Sequence, residues 1–205
     1  MAHDEPVLLL ASQSPRRRQL LDQIGVLHRV LAPDPQEDAE ALEAVLDGEA
    51  PVEYVQRVTQ RKLDAAVQRL SRQRESDRFF LLCADTTVAL HGTIYGKPRD
   101  AADAARMLGA LAGATHQVLT AIAIQADDGH RRHALSQSSV TFAALSLSEI
   151  ERYVDSGEPL GKAGAYAVQG RAAAFITRIE GSYSGIMGLP LHETAALLRT
   201  AGYRW

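Results

Sequence analysis

The chain has 205 residues, of which 22 are Lys or Arg and 25 are Asp or Glu, so its formal net charge is only −3. This balance gives no reason to expect stable binding of nucleic acid or of an anionic membrane surface. Apolar residues make up 46% of the chain, which excludes a largely disordered protein and is enough for a buried core.

A single cysteine, Cys83, restricts the chemistry that sulfur can provide. One thiol forms no internal disulfide and offers no zinc-binding spacing, and its apolar neighbours at 79–84 predict a buried, unreactive side chain. The apolar segment 7–11 is too short for a signal peptide or a membrane span, and no basic segment precedes it. We therefore expect a cytoplasmic protein that does not enter the membrane.

Strands and helices are predicted to alternate in the first part of the chain. The apolar run 7–11 predicts a buried strand, and Ser14 followed by Pro15 predicts a helix start that the Ser14 hydroxyl caps. Gly25 ends that helix. The elements that follow are a short strand around Val30, a loop at 32–51 with a short helix at 39–46, and a long helix at 52–72.

The rest of the chain mixes strands and helices. The strongest strand candidate is 79–90, and the turn signal at 127–129 predicts a hairpin between strands at 117–125 and 134–143. The remaining elements are helices at 100–111 (capped by Asp100), 147–156 and 190–201, a glycine-rich stretch at 157–170, and a strand at 174–179. Together these elements predict an α/β fold with a mixed sheet.

The segment 12–18 places two hydroxyls and three arginines where a strand feeds a helix. A helix N-terminus offers free N–H groups and a positive dipole end, and arginine forks match phosphate oxygens. Ser12, Ser14, Arg16 and Arg17 could therefore cradle a triphosphate. A capped helix with solvated arginines explains the same residues equally well, and three consecutive arginines cannot all face one way.

Asp85 is a carboxylate in an apolar strand, a position that is costly unless a charge meets it. A metal, a catalytic water or a lysine would satisfy it, and for Asp85 alone an ion pair with a core lysine is the simpler explanation. Lys97 lies between Gly96 and Pro98, which fix the local backbone, so we expect it to be aimed at a site. Lys62 on the long helix is the weaker candidate, because most such lysines are solvated.

Glycine and alanine dominate the segment 161–170, which permits close approach of the backbone to a flat ligand. Gln169 can both donate and accept a hydrogen bond there. A tight turn in a packed lobe is the alternative explanation. The sequence contains no Walker loop, Rossmann glycine motif or Ser-His-Asp order.

Five short segments are distinctive in this order and at these separations. They are LASQSPRR at 10–17, ADTTV at 84–88, GKP at 96–98, KAGAYAVQG at 162–170 and GLPL at 188–191. Each is weak evidence alone, but the set resembles the Maf family of nucleotide pyrophosphatases along nearly the whole chain. The resemblance implies one domain over 1–205, with two lobes that the sequence does not separate, a mixed sheet and a central cleft, similar to the inosine-triphosphate pyrophosphatases.

The resemblance also implies an activity, which is hydrolysis of a nucleoside triphosphate to the monophosphate and pyrophosphate with a divalent cation, Mg²⁺ or Mn²⁺. Asp85 matches the proton acceptor of the family. The residues that would bind substrate are Ser12, Ser14, Arg16, Arg17, Lys62, Thr86, Lys97 and Gln169.

Three of these positions separate the subfamilies. Arg16, Thr86 and Gln169 together resemble the branch that acts on dTTP and UTP, with modified pyrimidine triphosphates left open as substrates. A sister branch, which acts on 7-methyl-GTP, carries a glutamate in place of Gln169.

One departure from the family concerns the metal. Relatives usually carry a pair of glutamates where this chain has Pro35-Gln36-Glu37-Asp38, so we expect Asp85 and Glu37 to hold the cation, with Gln36 as the alternative match to the family glutamate.

A regulatory nucleotide-binding module without turnover and an enzyme of broad nucleotide range are the rival hypotheses. The sequence also leaves a homodimer open.

Overall fold

The strands form one mixed sheet of seven in the computed structural model, which describes residues 7–34, 39–73 and 78–205. They are β1 (Val7–Leu10), β2 (His28–Val30), β3 (Phe79–Leu90), β4 (Thr93–Tyr95), β5 (Thr115–Gln125), β6 (Arg131–Phe142) and β7 (Ile176–Glu180). Their order is β2-β1-β3-β5-β6-β7, with β4 paired to β3. β1 pairs in parallel with β2 and β3, whereas β3, β5, β6 and β7 pair antiparallel. The predicted α/β class with a mixed sheet is confirmed.

Helices pack on both faces of this sheet. They are α1 (Pro15–Gln23), α2 (Ala39–Leu42), α3 (Pro51–Gln73), α4 (Ala101–Leu111), α5 (Leu147–Asp155), α6 (Tyr183–Met187) and α7 (Leu191–Ala201). Successive side chains of a strand point to opposite faces. Leu81 and Cys83 of β3 accordingly pack with α3, while Leu82 and Ala84 pack in the cluster that includes α1 and α7. β3 is therefore buried on both faces, as its unbroken apolar run requires.

The position of Asp85 follows from the unequal lengths of β1 and β3. β1 pairs with β3 only up to Leu82, so the rest of β3 continues past the end of β1. There it contributes Val88 to a separate apolar cluster that includes α4, Phe142 and Tyr166. Asp85 thus lies between two apolar clusters, beside the loop that follows β1.

Most predicted elements are present with small shifts at their ends. Cys83 is fully buried as predicted, and that burial raises the pKa of its thiol to about 12. The sequence does not predict β4 and α6, because three and five residues carry too little periodic pattern. The final strand begins at Ile176, after a 3-10 turn at Arg171–Phe175. Within the described ranges, no helix is long and apolar enough to span a bilayer.

The predicted cap of α1 is wrong in one detail. Ser14 stands at the N-cap, but its hydroxyl makes no capping hydrogen bond. The Ser14 N–H is instead donated to the Ser12 hydroxyl at 3.2 Å, because the loop folds back on Ser12.

Candidate active site

A cleft of about 460 Å³ opens beside the end of β1 and the middle of β3. Every predicted site residue within the described ranges lines it, namely Ser12, Ser14, Arg16, Arg17, Lys62, Asp85, Thr86, Lys97 and Gln169. Glu37, the predicted second metal ligand, and Gln36 lie outside the described residues. The fold thus brings segments from both halves of the chain to one place.

The loop between β1 and α1 is organised around the hydroxyl of Ser12. Its oxygen accepts the Ser14 N–H at 3.2 Å and Arg17 Nη1 at 3.1 Å. These bonds occupy its lone pairs, so its own proton is left to donate, and the described part of the chain shows no hydrogen bond from that proton. A phosphate oxygen would supply the acceptor, at a place where the N-terminus of α1 favours an anion.

The three consecutive arginines divide as their geometry requires. Arg16 and Arg17 line the cleft, whereas Arg18 is exposed outside it. Burial lowers the pKa of Arg16 and of Arg17, and for Arg17 the charge of Asp85 acts in the opposite direction. Arginine stays charged in proteins, so both carry positive charge into the cleft.

Ion pairs connect Asp85, Lys62, Glu43 and Lys97 along one wall of the cleft. Lys62 Nζ lies 2.6 Å from Asp85 Oδ1 and 2.7 Å from Glu43 Oε1. Lys97 Nζ lies 2.8 Å from Glu43 Oε2. The pair that the sequence allows for Asp85 is therefore present, but it faces the cleft instead of being sealed in a core. Lys62 therefore reaches into the cleft, although the sequence indicates it as a weaker candidate than Lys97.

Glu43 is a cleft residue that the sequence does not single out. Burial alone would raise its pKa, but Lys62 and Lys97 bring that pKa below its ordinary value. The backbone around Glu43 is tied to α3, because Tyr54 Oη donates to the Glu43 carbonyl at 2.9 Å and Arg57 Nη2 to the Ala44 carbonyl at 2.8 Å. No sequence spacing relates position 43 to positions 62 and 97, so only the fold reveals this carboxylate.

Gln169 extends from a turn whose backbone is braced from behind. The Glu158 carboxylate accepts Tyr153 Oη at 2.9 Å and the Arg171 N–H at 3.1 Å. A Cβ on Gly170 would stand 2.2 Å from Glu158 Oε1, so any larger residue at this position would displace the carboxylate from these hydrogen bonds. The Gln169 side chain itself is exposed and has no hydrogen-bond partner among the described residues, which leaves its amide free for a ligand.

The same segment also contributes Lys162 and Tyr166 to the lining of the cleft. Lys162 donates to the Glu158 carbonyl, and its pKa is lowered by burial and by Arg16. The Tyr166 ring is held by His116, whose Nε2 lies 2.9 Å from Tyr166 Oη, and by an edge-on contact with Phe142. Tyr166 lines the cleft with the 6% of its surface that remains exposed. Both residues lie in the KAGAYAVQG segment, which is the signal that could have identified them.

The described residues hold no group of three or more His, Cys, Asp or Glu side chains suited to a metal ion. Asp85 and Glu43 nevertheless present carboxylate oxygens on the same wall. Mg²⁺ is commonly held by one or two carboxylates together with substrate phosphates. The donors therefore fit a cation that arrives with a polyphosphate better than one caged by protein alone.

Two carboxylates, several cations, a serine proton to donate, an aromatic side chain and a free amide are the groups that a polyphosphate linked to a flat group would engage. Comparison with known sequences agrees with this class. The profile of the family described as Maf-like protein matches residues 7–201. The chain belongs to the Maf family.

Curated relatives match along almost their whole length. A dTTP/UTP pyrophosphatase of Polaromonas sp. is 63% identical, covering 95% of this chain and 96% of that protein. Proteins of the same name from Cupriavidus metallidurans and Ralstonia nicotianae are 62% and 58% identical, over 96% and 98% of this chain and 97% and 96% of their own length. The crystal structure of a nucleoside-triphosphatase (dITP/XTP pyrophosphatase) from Mycobacterium abscessus matches 67% of this chain and 74% of its own at 15% identity, with a TM-score of 0.36.

Proposed function

We propose that this chain is a nucleoside triphosphate pyrophosphatase that hydrolyses dTTP and UTP to the monophosphate and pyrophosphate. The observation that carries the proposal is the meeting of Asp85 and Lys62, 2.6 Å apart, with the 12–17 loop in one cleft. The name of the relatives, dTTP/UTP pyrophosphatase, supports the choice of substrate.

The triphosphate would lie between two groups of side chains in the cleft. On one side, hydrogen-bond donors come from Ser12, Arg16, Arg17 and the N-terminus of α1. On the other side, Lys62 and Lys97 offer positive charge. Each lysine is paired with Glu43 before substrate arrives. Phosphate oxygens would compete with Glu43 for both, which couples binding to a change of partners in the cleft.

The base would lie against Tyr166 and within reach of Gln169. Uracil and thymine share an edge of acceptor, donor and acceptor, and an amide can pair with a neighbouring acceptor and donor on that edge. The exposed, unengaged amide of Gln169 suits this role. Modified pyrimidines with the same edge would also be accepted.

A divalent cation is part of the proposal. Asp85 would hold it together with Glu43, or with Glu37 as the sequence predicts, and the phosphates would complete its coordination. When bound, the cation neutralises charge on the phosphates.

The protein's own chemical step belongs to Asp85. Its Oδ1 is taken by Lys62, whereas Oδ2 has no partner in the described part of the chain. Asp85 would take a proton from the attacking water while the water oxygen bonds to the α-phosphorus. The bond between the α-phosphorus and the leaving pyrophosphate breaks in the same step.

A panel of triphosphates tests this function. We expect pyrophosphate release from dTTP and UTP with Mg²⁺, none with excess chelator, and a loss of roughly 10²–10⁴ in kcat for Asp85→Asn. Asp155→Asn, an exposed carboxylate at the end of α5, is the matched control and should keep full activity. Release of orthophosphate, or full kcat in Asp85→Asn, would contradict the proposal. A cytoplasmic location and a homodimer stay predictions from the sequence.

A further inference from the structure

A closed set of hydrogen bonds joins α1, β3, β5 and α6 at the wall of the cleft. Arg17 Nη2 donates to Thr86 Oγ1 at 3.4 Å, and the Thr86 and Thr120 hydroxyl oxygens lie 2.9 Å apart. Thr120 Oγ1 donates to the Gly185 carbonyl at 2.7 Å. On its other side, Arg17 Nε donates to the Gly188 carbonyl at 2.8 Å, directly after α6. Arg17 is thus connected by two routes to the same short helix.

The direction of every proton in this set is fixed by its two ends. A guanidinium only donates and a backbone carbonyl only accepts. Thr120 gives its one proton to the Gly185 carbonyl, so its oxygen has to accept the proton of Thr86. Thr86 has then used its only proton, and its oxygen accepts from Arg17.

This order limits what Thr86 can offer to a substrate. With its proton committed to Thr120, the Thr86 hydroxyl cannot donate to O2 or O4 of a pyrimidine. Within the protein, the Thr86 oxygen uses a lone pair to accept the hydrogen bond from Arg17. The role of Thr86 in base recognition, which the family resemblance implies, is therefore not a matter of donating to the base.

We infer that Thr120 is a positioning residue, which orients Thr86 to accept from Arg17 and thereby holds the Arg17 guanidinium in place for the phosphates. Thr120 is 1% exposed and lies directly opposite Thr86 in the β3–β5 pair. A Cβ on Gly185 would stand 2.8 Å from Ser136 Oγ, so glycine lets α6 approach the sheet closely enough for this bond. The inference rests on the proposed function, in which Arg17 binds phosphate.

Thr120→Val removes the hydroxyl at nearly constant volume, and Thr120→Ser restores it. We expect Thr120→Val to lower kcat/KM by about tenfold, and by the same factor for dTTP and UTP, because Thr86 loses the acceptor of its proton and is no longer oriented to accept from Arg17. Thr120→Ser should recover most of the activity. The control is Thr115→Val, which breaks a comparable but exposed threonine pair with Thr141 between β5 and the neighbouring β6 and should change nothing.

A double variant separates positioning from base recognition. Thr86→Val interrupts the same chain, so Thr86→Val with Thr120→Val should lose no more than the worse single variant. Losses that multiply, or a Thr86→Val effect that differs between bases while Thr120→Val has none, would overturn the inference. If Thr120→Val does not fold, Thr86→Val against Thr86→Ser makes the same comparison at the next link.

Pyrophosphate binding provides a readout without turnover. In calorimetry with Mg²⁺ present, Thr120→Val should bind pyrophosphate more weakly than the wild type, while Thr115→Val should not differ from it. Equal affinity in all three would overturn the inference. If the wild type hydrolyses no triphosphate, the proposed function fails, yet this measurement still decides whether Thr120 supports an anion site.

Discussion

At the scale of single residues, the structure changes the meaning of Asp85. In the sequence, a catalytic carboxylate and a buried ion-pair partner are alternatives. In the fold Asp85 is both paired with Lys62 and open to the cleft, so the ion pair gives the carboxylate a partner without sealing it from a ligand. Sequence reasoning separates these two roles because it cannot show on which side of a strand the empty space lies.

Replacing Gln169 with glutamate tests whether the Gln169 amide recognises the base. A glutamate there would place an acceptor against a uracil oxygen and leave a charge without a partner, a mismatch that costs on the order of 1–3 kcal/mol. We expect Gln169→Glu to reduce kcat/KM selectively for dTTP and UTP, with 7-methyl-GTP spared or improved, because a carboxylate accepts both donors of a guanine edge.

The measurement is kcat/KM for those three nucleotides on the wild type and the variant. Gln137→Glu, at an exposed position on β6, controls for the added negative charge. An equal fall for all three substrates would mean that Gln169 only supports its turn.

At the scale of elements, the segment between α5 and β7 has little regular structure, yet it is held firmly. Glu158 accepts bonds from Tyr153 and from the Arg171 backbone, and Lys162 returns to the Glu158 carbonyl. The sequence shows these glycines and alanines as a permissive stretch. The reason for one glycine emerges only when Glu158 is seen against Gly170.

Gly170→Ala tests this brace. Gly170 has a φ of −102°, so alanine brings no backbone strain, and its effect comes only from the contact of its Cβ with Glu158. Because that carboxylate is held by two hydrogen bonds, we expect a loss of about 1–3 kcal/mol in the free energy of unfolding. KM should rise equally for all triphosphates, since the whole turn moves.

Denaturant unfolding of a mutant cycle checks the cause. In a Glu158→Ala background the clash is gone, so Gly170→Ala should then add little. Gly109→Ala, at an open position on α4, is the control and should not destabilise. The same loss in both backgrounds would show that Glu158 is not responsible.

At the scale of the whole molecule, the cluster of His116, Phe142 and Tyr166 makes the stability of the fold depend on pH. His116 is 1% exposed, faces Tyr166 and Phe142, and has its pKa lowered to about 4 by burial. A histidine whose pKa is lower in the folded state opposes folding once the unfolded chain takes up its proton. Stability should therefore fall as the pH drops from about 6.5 towards 4, by about 3 kcal/mol for this group.

Comparison with His116→Gln isolates the effect, because His133 also has a lowered pKa and contributes to the same window. The carboxyls with lowered pKa values, such as Glu43 and Glu158, lose their stabilisation only at lower pH. The unfolding free energy of the variant, measured from pH 7 to 4.5, should fall less steeply than that of the wild type. Parallel curves would exclude His116 as the source.

The sequence by itself determined the fold class, the long elements and nearly all of the candidate site. Apolar runs such as 79–90 and helical periodicity at 52–72 depend on neighbours in the chain, which is why they could be predicted. The candidate residues came partly from short segments rich in glycine, proline, serine and arginine, and partly from the resemblance of those segments to the Maf family.

The tertiary structure alone decided how those residues are partnered. Lys62 reaches Asp85, Glu43 joins the cleft, and Thr120 fixes the proton of Thr86, although each pair is far apart in the chain. Hydrogen bonds and ion pairs depend on distances of about 3 Å, and such distances between remote segments are set by the packing of the sheet and its helices. No local pattern encodes them, which is also why the short α6, whose position depends on Thr120 and Arg17, could not be seen in the sequence.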